Sequence, residues 1–528
     1  MRKIIIYDTT LRDGAQAEGI SFSVEDMLKV AKRLDEAGLD YVEGGWPGSN
    51  VKHAEFFQTI KGVPFSHAKI AAFGSTRRPG IRASEDANLA SILKSDAPTA
   101  TIYGKAWDLH VTDVLAVSLD ENVEMIYDSV KYLKEQGREV IFDAEHFFDG
   151  YKANPDYALK AIKAAASAGA DCVVLCDTNG GCLPNEIDGA MDAVTSAVTV
   201  PIGIHTHNDS EMAVANSIVA VQRGAVHVQG TVNGFGERCG NANLCSIIPI
   251  LCLKLGYDCS ATRSLEELTS LSNYVDEIAN VVPNDKQPFV GRSAFAHKAG
   301  VHVDAMMKQP LTYEHVRPDQ VGNVRRFLVS EHAGASSIVH KAQRYGVDLT
   351  KKSPATRAVL KQIANLENQG YSFEGAEASF ELLLQKAVGT YRKLFDFKSF
   401  RVMVEQRGTD PEPTTEATLR VIVDGEEFLT VAEGDGPVHA LDNALRKALE
   451  KFYPEELKHI KLTDFKVRVL DAKEATAAGV RAVVESTDGR TSWSTVGVST
   501  NIIEASWHAL VDSVEYGLLK LTVRDKNG

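Results

Sequence analysis

The sequence predicts an α/β protein whose N-terminal part is a (β/α)8 barrel, also called a TIM barrel. Up to about residue 255, a short apolar segment rich in β-branched residues is repeatedly followed by a loop and an amphipathic helical segment. The apolar segments do not alternate with polar residues, which is typical of parallel strands buried on both faces. Eight such units in roughly 250 residues are the pattern of this barrel. The main alternative is a doubly wound open sheet, which is disfavoured because no G-x-G-x-x-G follows the first strand.

The eight predicted strands recur along the first 233 residues. They are KIIIYD (3–8), DYVEGG (40–45), KIAAFG (69–74), TATIYG (99–104), EVIFDAE (139–145), DCVVLCD (171–177), PIGIHTH (201–207) and AVHVQGTVN (225–233). Helical patterns lie between them, for example at Val24–Ala37, Asn122–Gln136 and Tyr157–Ala168. Several of these patterns stop at a glycine, as at Gly38 and Gly137, where glycine readily adopts the conformation that ends a helix.

Residues 1–262 are therefore predicted to form the barrel, and residues 263–395 change in character. They are polar and helical in pattern, as in Leu265–Ile278, Glu331–Tyr345 and Ser353–Asn368. This pattern predicts helical linker subdomains after the barrel.

Residues 396–528 contain a strand–strand–strand–helix pattern twice. The two predicted helices are Val438–Phe452 and Ile502–Leu519, and their small and apolar residues align with each other. This duplicated βββα pattern predicts a C-terminal α+β domain with a regulatory or dimerisation role.

The composition disfavours several classes of function. Lys and Arg total 57 against 71 Asp and Glu, a net charge of −14, so nucleic-acid binding is not expected. No segment has the roughly 18 consecutive apolar residues of a membrane span, and the run Ile4–Ile6 is too short for a signal peptide. Seven scattered cysteines favour reduced thiols in the cytoplasm over a disulfide framework.

Candidate reactive side chains follow the predicted strands, because barrel enzymes carry their sites at the C-terminal ends of the strands. His205 and His207 are two residues apart on a strand, so they point to the same side. Two imidazoles with a carboxylate form a divalent-metal set with open positions, although an isolated H-x-H is more often two satisfied histidines. Carboxylates at neighbouring strand ends favour the metal interpretation. Asp8 or Asp13 could supply the carboxylate, and their spacing does not decide between them.

Two further segments leave alternatives open. The glycine-rich segment 230–243 has no P-loop lysine, so we predict a tight loop that aims Asn241 at the site. Cys239 in this loop is expected to be structural, although the adjacent Arg238 could activate a thiol. Segment 295–304, FAHKAGVHVD, is either a solvated helix start or a lid that brings a base or ligand to the barrel mouth.

Four motifs in chain order resemble the 2-isopropylmalate, homocitrate and citramalate synthases. They are L-R-D-G-x-Q (11–16), H-x-H-N-D (205–209), G-E-R-x-G-N-A (236–242) and A-H-K-A-G-V-H (296–302). The resemblance covers nearly the whole chain, and the duplicated C-terminal region is similar to the allosteric domain of these enzymes. These synthases join acetyl-CoA to a 2-oxo acid in an aldolase-like barrel. The resemblance thus implies a divalent metal ion (Mn, Mg, Co or Zn) and acetyl-CoA as co-substrate.

The resemblance also implies a role for individual residues. Asp13, His205 and His207 match the metal ligands, and Asn241 matches a further ligand or near-ligand. Arg12 matches the arginine beside the oxo-acid carbonyl. The remaining expected substrate contacts are Gln16, Phe73 and Thr178, and the remaining expected catalytic residues are Glu145, His302 and Tyr313.

Within the family, segments 43–50 (EGGWPGSN) and 177–181 (DTNGG) resemble the citramalate-synthase branch, which uses pyruvate. This implies a Claisen-type condensation followed by thioester hydrolysis, in isoleucine biosynthesis through 2-oxobutanoate. It further implies an isoleucine effector at the C-terminal domain and a homodimer. The alternatives are a 2-isopropylmalate synthase that uses 2-oxoisovalerate, a lyase on the same barrel, and a non-catalytic metabolite sensor.

Overall fold

The structure is a computed structural model that describes residues 2–298, 300–328, 354–373, 376–406, 408, 412–470 and 478–524. The chain divides into two compact units. The first comprises Met1–Phe295 and Glu314–Arg325, and the second comprises Ala296–Tyr313 and Arg326–Gly528. The predicted helix at Glu331–Tyr345 lies outside the described residues.

Eight parallel strands form a closed barrel in the first unit, as predicted. They are β1 (Lys3–Asp8), β2 (Tyr41–Gly45), β3 (Lys69–Ser75), β4 (Thr99–Lys105), β5 (Glu139–Glu145), β6 (Cys172–Asp177), β7 (Ile202–Thr206) and β8 (His227–Gly230). Each strand pairs with the next in sequence, and β8 pairs back onto β1. A two-residue strand, β9 (Asp258–Cys259), adds to β1.

Helices separate the strands, as expected for a (β/α)8 barrel. They are α1 (Val24–Glu36), α2 (Val51–Thr59), α3 (Ala87–Ser95), α4 (Leu119–Glu135), α5 (Phe147–Ala153), α6 (Pro155–Ser167), α7 (Pro184–Ala197) and α8 (Ala213–Gln222); α9 (Leu244–Pro249) and α10 (Leu268–Ile278) follow β8. The side chain of Ser23 accepts from the amide of Asp26 and caps the start of α1. Gly38 follows α1 with φ +78°, the left-handed conformation that the sequence predicted there.

Alternate residues of the strands face two different environments. Ile4 and Ile6 on β1 belong to the large core that the strands share with the helices, whereas Tyr7 belongs to a separate cluster with Tyr41 and Val174. Since successive strand residues point to opposite sides, this second cluster fills the barrel interior. The strands are therefore apolar without alternation because both of their faces are buried, one against the helices and the other in the barrel interior.

The predicted eighth strand was too long. It was expected to run to Asn233, but β8 ends at Gly230. Val232–Gly234 form a 3₁₀ turn in which Asn233 adopts φ +62°, a conformation that does not continue a strand.

The second unit contains helices followed by two similar antiparallel sheets. Its first part comprises β10 (Ala296–His297), α11 (Gly300–Lys308), β11 (Arg326–Phe327), α12 (Pro354–Asn368) and α13 (Glu377–Val388). The first βββα repeat is β12 (Asp396–Glu405), β13 (Thr414–Val423), β14 (Glu426–Gly434) and α14 (Pro437–Leu449). After α15 (Pro454–His459), the second repeat is β15 (Lys461–Val469), β16 (Val480–Thr487), β17 (Ser492–Ser499) and α16 (Ile502–Arg524).

The duplication predicted from the sequence is therefore present. Each sheet places its middle strand between the other two, and α14 and α16 occupy equivalent positions after the third strand. Ala440 and Ala444 on α14 and the aligned Ala505 and Ala509 on α16 are all fully buried. Among the described residues, no helix has the length and apolar character needed to cross a membrane.

Candidate metal centre and substrate cleft

Asp13, His205 and His207 converge at the C-terminal end of the barrel. The Asp13 Oδ2 atom lies 3.4 Å from Nε2 of His205 and 4.0 Å from Nε2 of His207, and the two Nε2 atoms are 3.3 Å apart. All three residues are buried, with exposed fractions of 3% for Asp13, 5% for His205 and 6% for His207. Such a close group of one carboxylate and two imidazoles is a donor set that suits a divalent transition metal with open positions.

The turn after β1 explains why Asp13 reaches this point. The carbonyl oxygen of Thr9 accepts hydrogen bonds from the amides of Arg12, Asp13 and Gly14, at 3.2, 2.9 and 3.0 Å. The chain therefore folds back immediately after the strand. This turn brings Arg12 and Asp13 back to the barrel mouth, where His205 of β7 and the adjoining His207 also lie.

The electrostatics of the group fit a cation. Burial alone would favour a neutral carboxyl, but Arg12 and the two histidines hold the pKa of Asp13 well below its usual range. Burial and the neighbouring His205 lower the pKa of His207 to about 3, so its imidazole is neutral near pH 7. Burial would also lower the pKa of His205, but Asp13 raises it on balance. The anionic oxygen of Asp13 and the neutral imidazole of His207 are therefore already the ligand forms that a metal requires, and metal binding would displace a proton from a protonated His205.

Asn241 is placed beside this group by the loop after β8. Asn241 and His207 form an isolated antiparallel bridge, so their side chains are on the same side of the backbone. The Asn241 side chain is 2% exposed, and neither its Oδ1 nor its Nδ2 has a hydrogen-bond partner among the described residues. A Cβ atom at Gly236 would lie 2.8 Å from Asn241 Nδ2, so the glycine there makes room for the amide. A buried amide without partners is expected to bind something else.

Arg12 is held rigidly next to the carboxylate. Its Nε donates to Glu43 Oε2 at 2.6 Å, its Nη1 lies 3.4 Å from Asp13 Oδ2, and its guanidinium carbon is 3.8 Å from the centre of the Phe73 ring. Glu43 is fully buried and also accepts from the hydroxyl of Tyr7 at 2.7 Å. The positive charge is thus fixed in orientation, and its remaining donors can serve a ligand.

Asp8 plays a different part. One of its oxygens accepts from the amide of Thr10 at 2.9 Å and the other accepts from the Thr10 hydroxyl at 2.8 Å. It is fully buried and is not a member of the Asp13, His205 and His207 group. Burial raises the pKa of Asp8 to about 7. These contacts indicate a residue that shapes the turn after β1.

A cleft of about 250 Å³ opens onto the group. Besides the three clustered residues, it is lined by Arg12, Gln16, Trp46, Phe73, Tyr103, Asp143, Glu145, Cys176, Thr178, Glu237 and Arg238. The expected substrate contacts Gln16, Phe73 and Thr178 all lie on its wall. Glu145 also lies there and forms an ion pair with Lys105.

His302 and Tyr313 belong to the second unit. Their rings stack on each other, with centroids 4.0 Å apart and planes at 26°. The two side chains are therefore in direct contact with each other. That they reach the barrel mouth stays a prediction.

Tyr103, which lines the cleft near the C-terminal end of β4, was not identified from the sequence. Its position near the C-terminal end of a barrel strand was the signal that could have identified it. Cys239, in contrast, is exposed and is not one of the lining residues of the cleft.

The fold and the site together define a TIM-barrel protein with a candidate metal centre. A model of the HMGL-like family matches residues 3–275, one described as homocitrate synthase post-HMGL domain-like matches 289–370, and one of the LeuA allosteric (dimerisation) domain matches 374–518. The chain belongs to the 2-isopropylmalate, homocitrate and citramalate synthase family.

Individual relatives agree with this placement. The (R)-citramalate synthases of Geobacter sulfurreducens and Aquifex aeolicus are 56% and 54% identical to the chain, each over 98% of both sequences. The 2-isopropylmalate synthase of Sulfolobus acidocaldarius is 35% identical and covers 71% of this chain and 94% of its own. The similarity is therefore much higher to the first two enzymes than to the third.

Proposed function

We propose that the protein is an (R)-citramalate synthase, which condenses acetyl-CoA with pyruvate and hydrolyses the thioester to give citramalate and CoA. The observation that carries this proposal is the convergence of Asp13, His205 and His207 beside the fixed guanidinium of Arg12. A 2-oxo acid offers two neighbouring oxygens, which suit a centre with open positions and an adjacent cation. The choice of pyruvate is supported by the full-length similarity to (R)-citramalate synthases.

Asp13, His205 and His207 would hold the divalent ion, with the unpartnered amide of Asn241 as a further ligand. When bound, the ion supplies a Lewis acid that polarises the keto group of the substrate. Manganese, magnesium, cobalt and zinc are all compatible with this set of oxygen and nitrogen donors.

Arg12 would stabilise the negative charge that develops on the keto oxygen during attack. A donor that is already oriented in the ground state needs no reorganisation when the charge forms. The contacts of Arg12 with Glu43 and Phe73 provide this orientation. Thr178 and Gln16 on the same wall of the cleft would contact the carboxylate end of pyruvate.

His302 would remove a methyl proton from acetyl-CoA, assisted by Tyr313 and Glu145. Imidazole is a common general base in enzymes, because the same group can accept a proton in one step and return it in a later one. The resulting enolate carbon attacks the keto carbon of pyruvate and forms the new carbon–carbon bond. Water then attacks the thioester carbonyl, the C–S bond breaks, and CoA leaves as the thiol.

The aromatic wall of the cleft would select for a small oxo acid. Trp46 packs edge-on against Phe73 and Tyr103, with ring centroids 5.7 and 5.8 Å away, and Phe73 and Tyr103 stack on each other. The indole Nε1 donates to Asn88 at 2.6 Å, which fixes the position of Trp46. In this proposal the three rings would exclude the isopropyl group of 2-oxoisovalerate and admit the methyl group of pyruvate.

The C-terminal repeats would form the homodimer and bind isoleucine as an effector. The family match is to an allosteric dimerisation domain. Large apolar side chains are also exposed on its strands, for example Leu429 at 59% and Val469 at 51%. Such exposure is typical of surfaces that pair with another subunit. Truncation after residue 395 should abolish isoleucine inhibition, and inhibition that survives truncation would refute this assignment.

The seven free cysteines are consistent with a reducing compartment, so we place the protein in the cytoplasm in this proposal.

The release of CoA with different oxo acids tests the proposed reaction. The full chain would be assayed with acetyl-CoA and, in separate reactions, pyruvate, 2-oxobutyrate or 2-oxoisovalerate. Pyruvate should give the highest kcat/KM, and acetyl-CoA alone should release no CoA above background. A preference for 2-oxoisovalerate would instead assign a 2-isopropylmalate synthase, and the absence of release with all three would refute a synthase.

A further inference from the structure

We propose that Gln229 and Asp143 are positioning residues that fix the tautomer and orientation of His205. This inference rests on the proposed function, because it assumes that His205 is a metal ligand. It gives a specific role at the centre to two residues, Gln229 and Asp143, for which none has been described above.

The three side chains form one buried chain of hydrogen bonds. Nδ1 of His205 lies 2.8 Å from Oε1 of Gln229, and Nε2 of Gln229 donates to Oδ1 of Asp143 at 3.0 Å. The exposed fractions of His205, Gln229 and Asp143 are 5%, 0% and 4%, so all three residues are buried. This series of hydrogen bonds runs from the Asp143 carboxyl through the Gln229 amide to the His205 imidazole.

The donors and acceptors of the three side chains determine which group donates in each of the two hydrogen bonds. A glutamine amide has one accepting oxygen and one donating NH2 group. In the structure the NH2 group of Gln229 faces Asp143 and donates to its Oδ1. The amide oxygen then faces His205 and requires a proton on Nδ1. Nε2 is left with its lone pair, and this is the atom that lies 3.4 Å from Asp13 Oδ2.

The barrel makes the arrangement rigid. His205 and Gln229 are directly opposite each other on β7 and β8. Asp143 lies on β5, which is not a neighbour of β8 in the barrel. The Gln229–Asp143 bond therefore spans the barrel interior and ties strands that are not hydrogen-bonded to each other. A partner that orients the second nitrogen of a ligating histidine typically changes metal affinity 10- to 100-fold when it is removed.

Metal titrations of variants test the proposal. Mn²⁺ would be titrated into chelator-treated full-length protein and followed by calorimetry. Gln229→Leu should weaken Mn²⁺ binding 10- to 100-fold. Asp143→Asn retains a carbonyl acceptor and should stay within threefold of the natural chain. Gln287→Leu is the matched control, because Gln287 is also buried and donates to Asn233 at 2.9 Å; it should leave Mn²⁺ affinity unchanged.

The tautomer itself provides a second measurement that needs no variant at position 229. In ¹⁵N-histidine-labelled, metal-free protein above the titration range of His205, its signals should show a protonated Nδ1 and an unprotonated Nε2. A protonated Nε2 would overturn the proposal, and so would unchanged Mn²⁺ affinity in a folded Gln229→Leu protein. If the natural chain binds no divalent ion, the proposed metal centre itself is refuted. Metal binding by the natural chain with unchanged affinity in Gln229→Leu would refute only the role of Gln229, so the two outcomes are distinguishable.

Discussion

The substitution Asp13→Asn removes the negative charge of the candidate metal centre with almost no change in shape. The distances show why a large effect is expected. Arg12 Nη1 lies 3.4 Å from Asp13 Oδ2, and two unit charges at this separation attract by about 5 kcal/mol in an effective dielectric constant of about 20. A divalent ion held by the same oxygen interacts at least as strongly.

Only part of this interaction appears as lost affinity, because an amide is easier to desolvate than a carboxylate. We expect a net loss of about 3 kcal/mol, which corresponds to roughly 100-fold weaker metal binding. The fold should survive, since Arg12 keeps its 2.6 Å contact with Glu43 and is not left as an unpaired buried charge.

Calorimetric titration of chelator-treated protein with Mn²⁺ measures this loss, and Asp8→Asn is the matched control. Both oxygens of Asp8 are used by Thr10, so the control should bind Mn²⁺ within threefold of the natural chain. If Asp13→Asn retains its affinity, or if Asp8→Asn is the variant that loses it, the assignment of the carboxylate is wrong.

Four other predictions concern Asp8, Arg12, Trp46 and His302. The pKa of Asp8 is raised to about 7 in the folded protein and is about 4 in the unfolded chain. Ionisation of Asp8 therefore lowers the free energy of unfolding by up to about 4 kcal/mol as pH rises from about 4 to 7. Asp8→Asn should reduce the fall in the urea midpoint across this pH range, and an unchanged fall would contradict the assignment. Arg12→Lys should reduce kcat about 100-fold or more, because a lysine cannot keep the Glu43 contact and also serve the substrate oxygen; a kcat within threefold of the natural value would argue against its role. Trp46→Leu should raise the kcat/KM ratio of 2-oxoisovalerate to pyruvate about tenfold or more, and an unchanged ratio would remove Trp46 from the selectivity wall. His302→Ala should lower kcat by about 100-fold or more, whereas unchanged turnover would exclude His302 as the base.

The barrel was predictable because its physical signal is local. Apolar strands with no alternation, helical segments and glycine stops each follow from the residues themselves, and eight repeats leave few alternative folds. The end of β8 was predicted wrongly because Thr231 and Val232 favour strands as single residues, whereas the turn at Asn233 depends on the loop around it.

The site was only partly predictable, since its contacts join distant parts of the chain. His205 and His207 were recognisable from their spacing on one predicted strand. Asp8 ends β1 and Asp13 lies in the turn after it, and spacing alone could not decide which of them joins the histidines. The turn around the carbonyl of Thr9 separates them in space. Gln229 gave no signal in the sequence, because its importance comes from Asp143, 86 positions earlier, on a strand that is not its neighbour.

Product analysis tests the central claim most directly. Chelator-treated full-length protein would be incubated with acetyl-CoA and pyruvate, with and without added Mn²⁺, and the products separated on a chiral column with mass detection. We predict (R)-citramalate and CoA in equal amounts when Mn²⁺ is present, and neither product without it. Equal citramalate formation with and without the metal would contradict the account, as would CoA release without any citramalate.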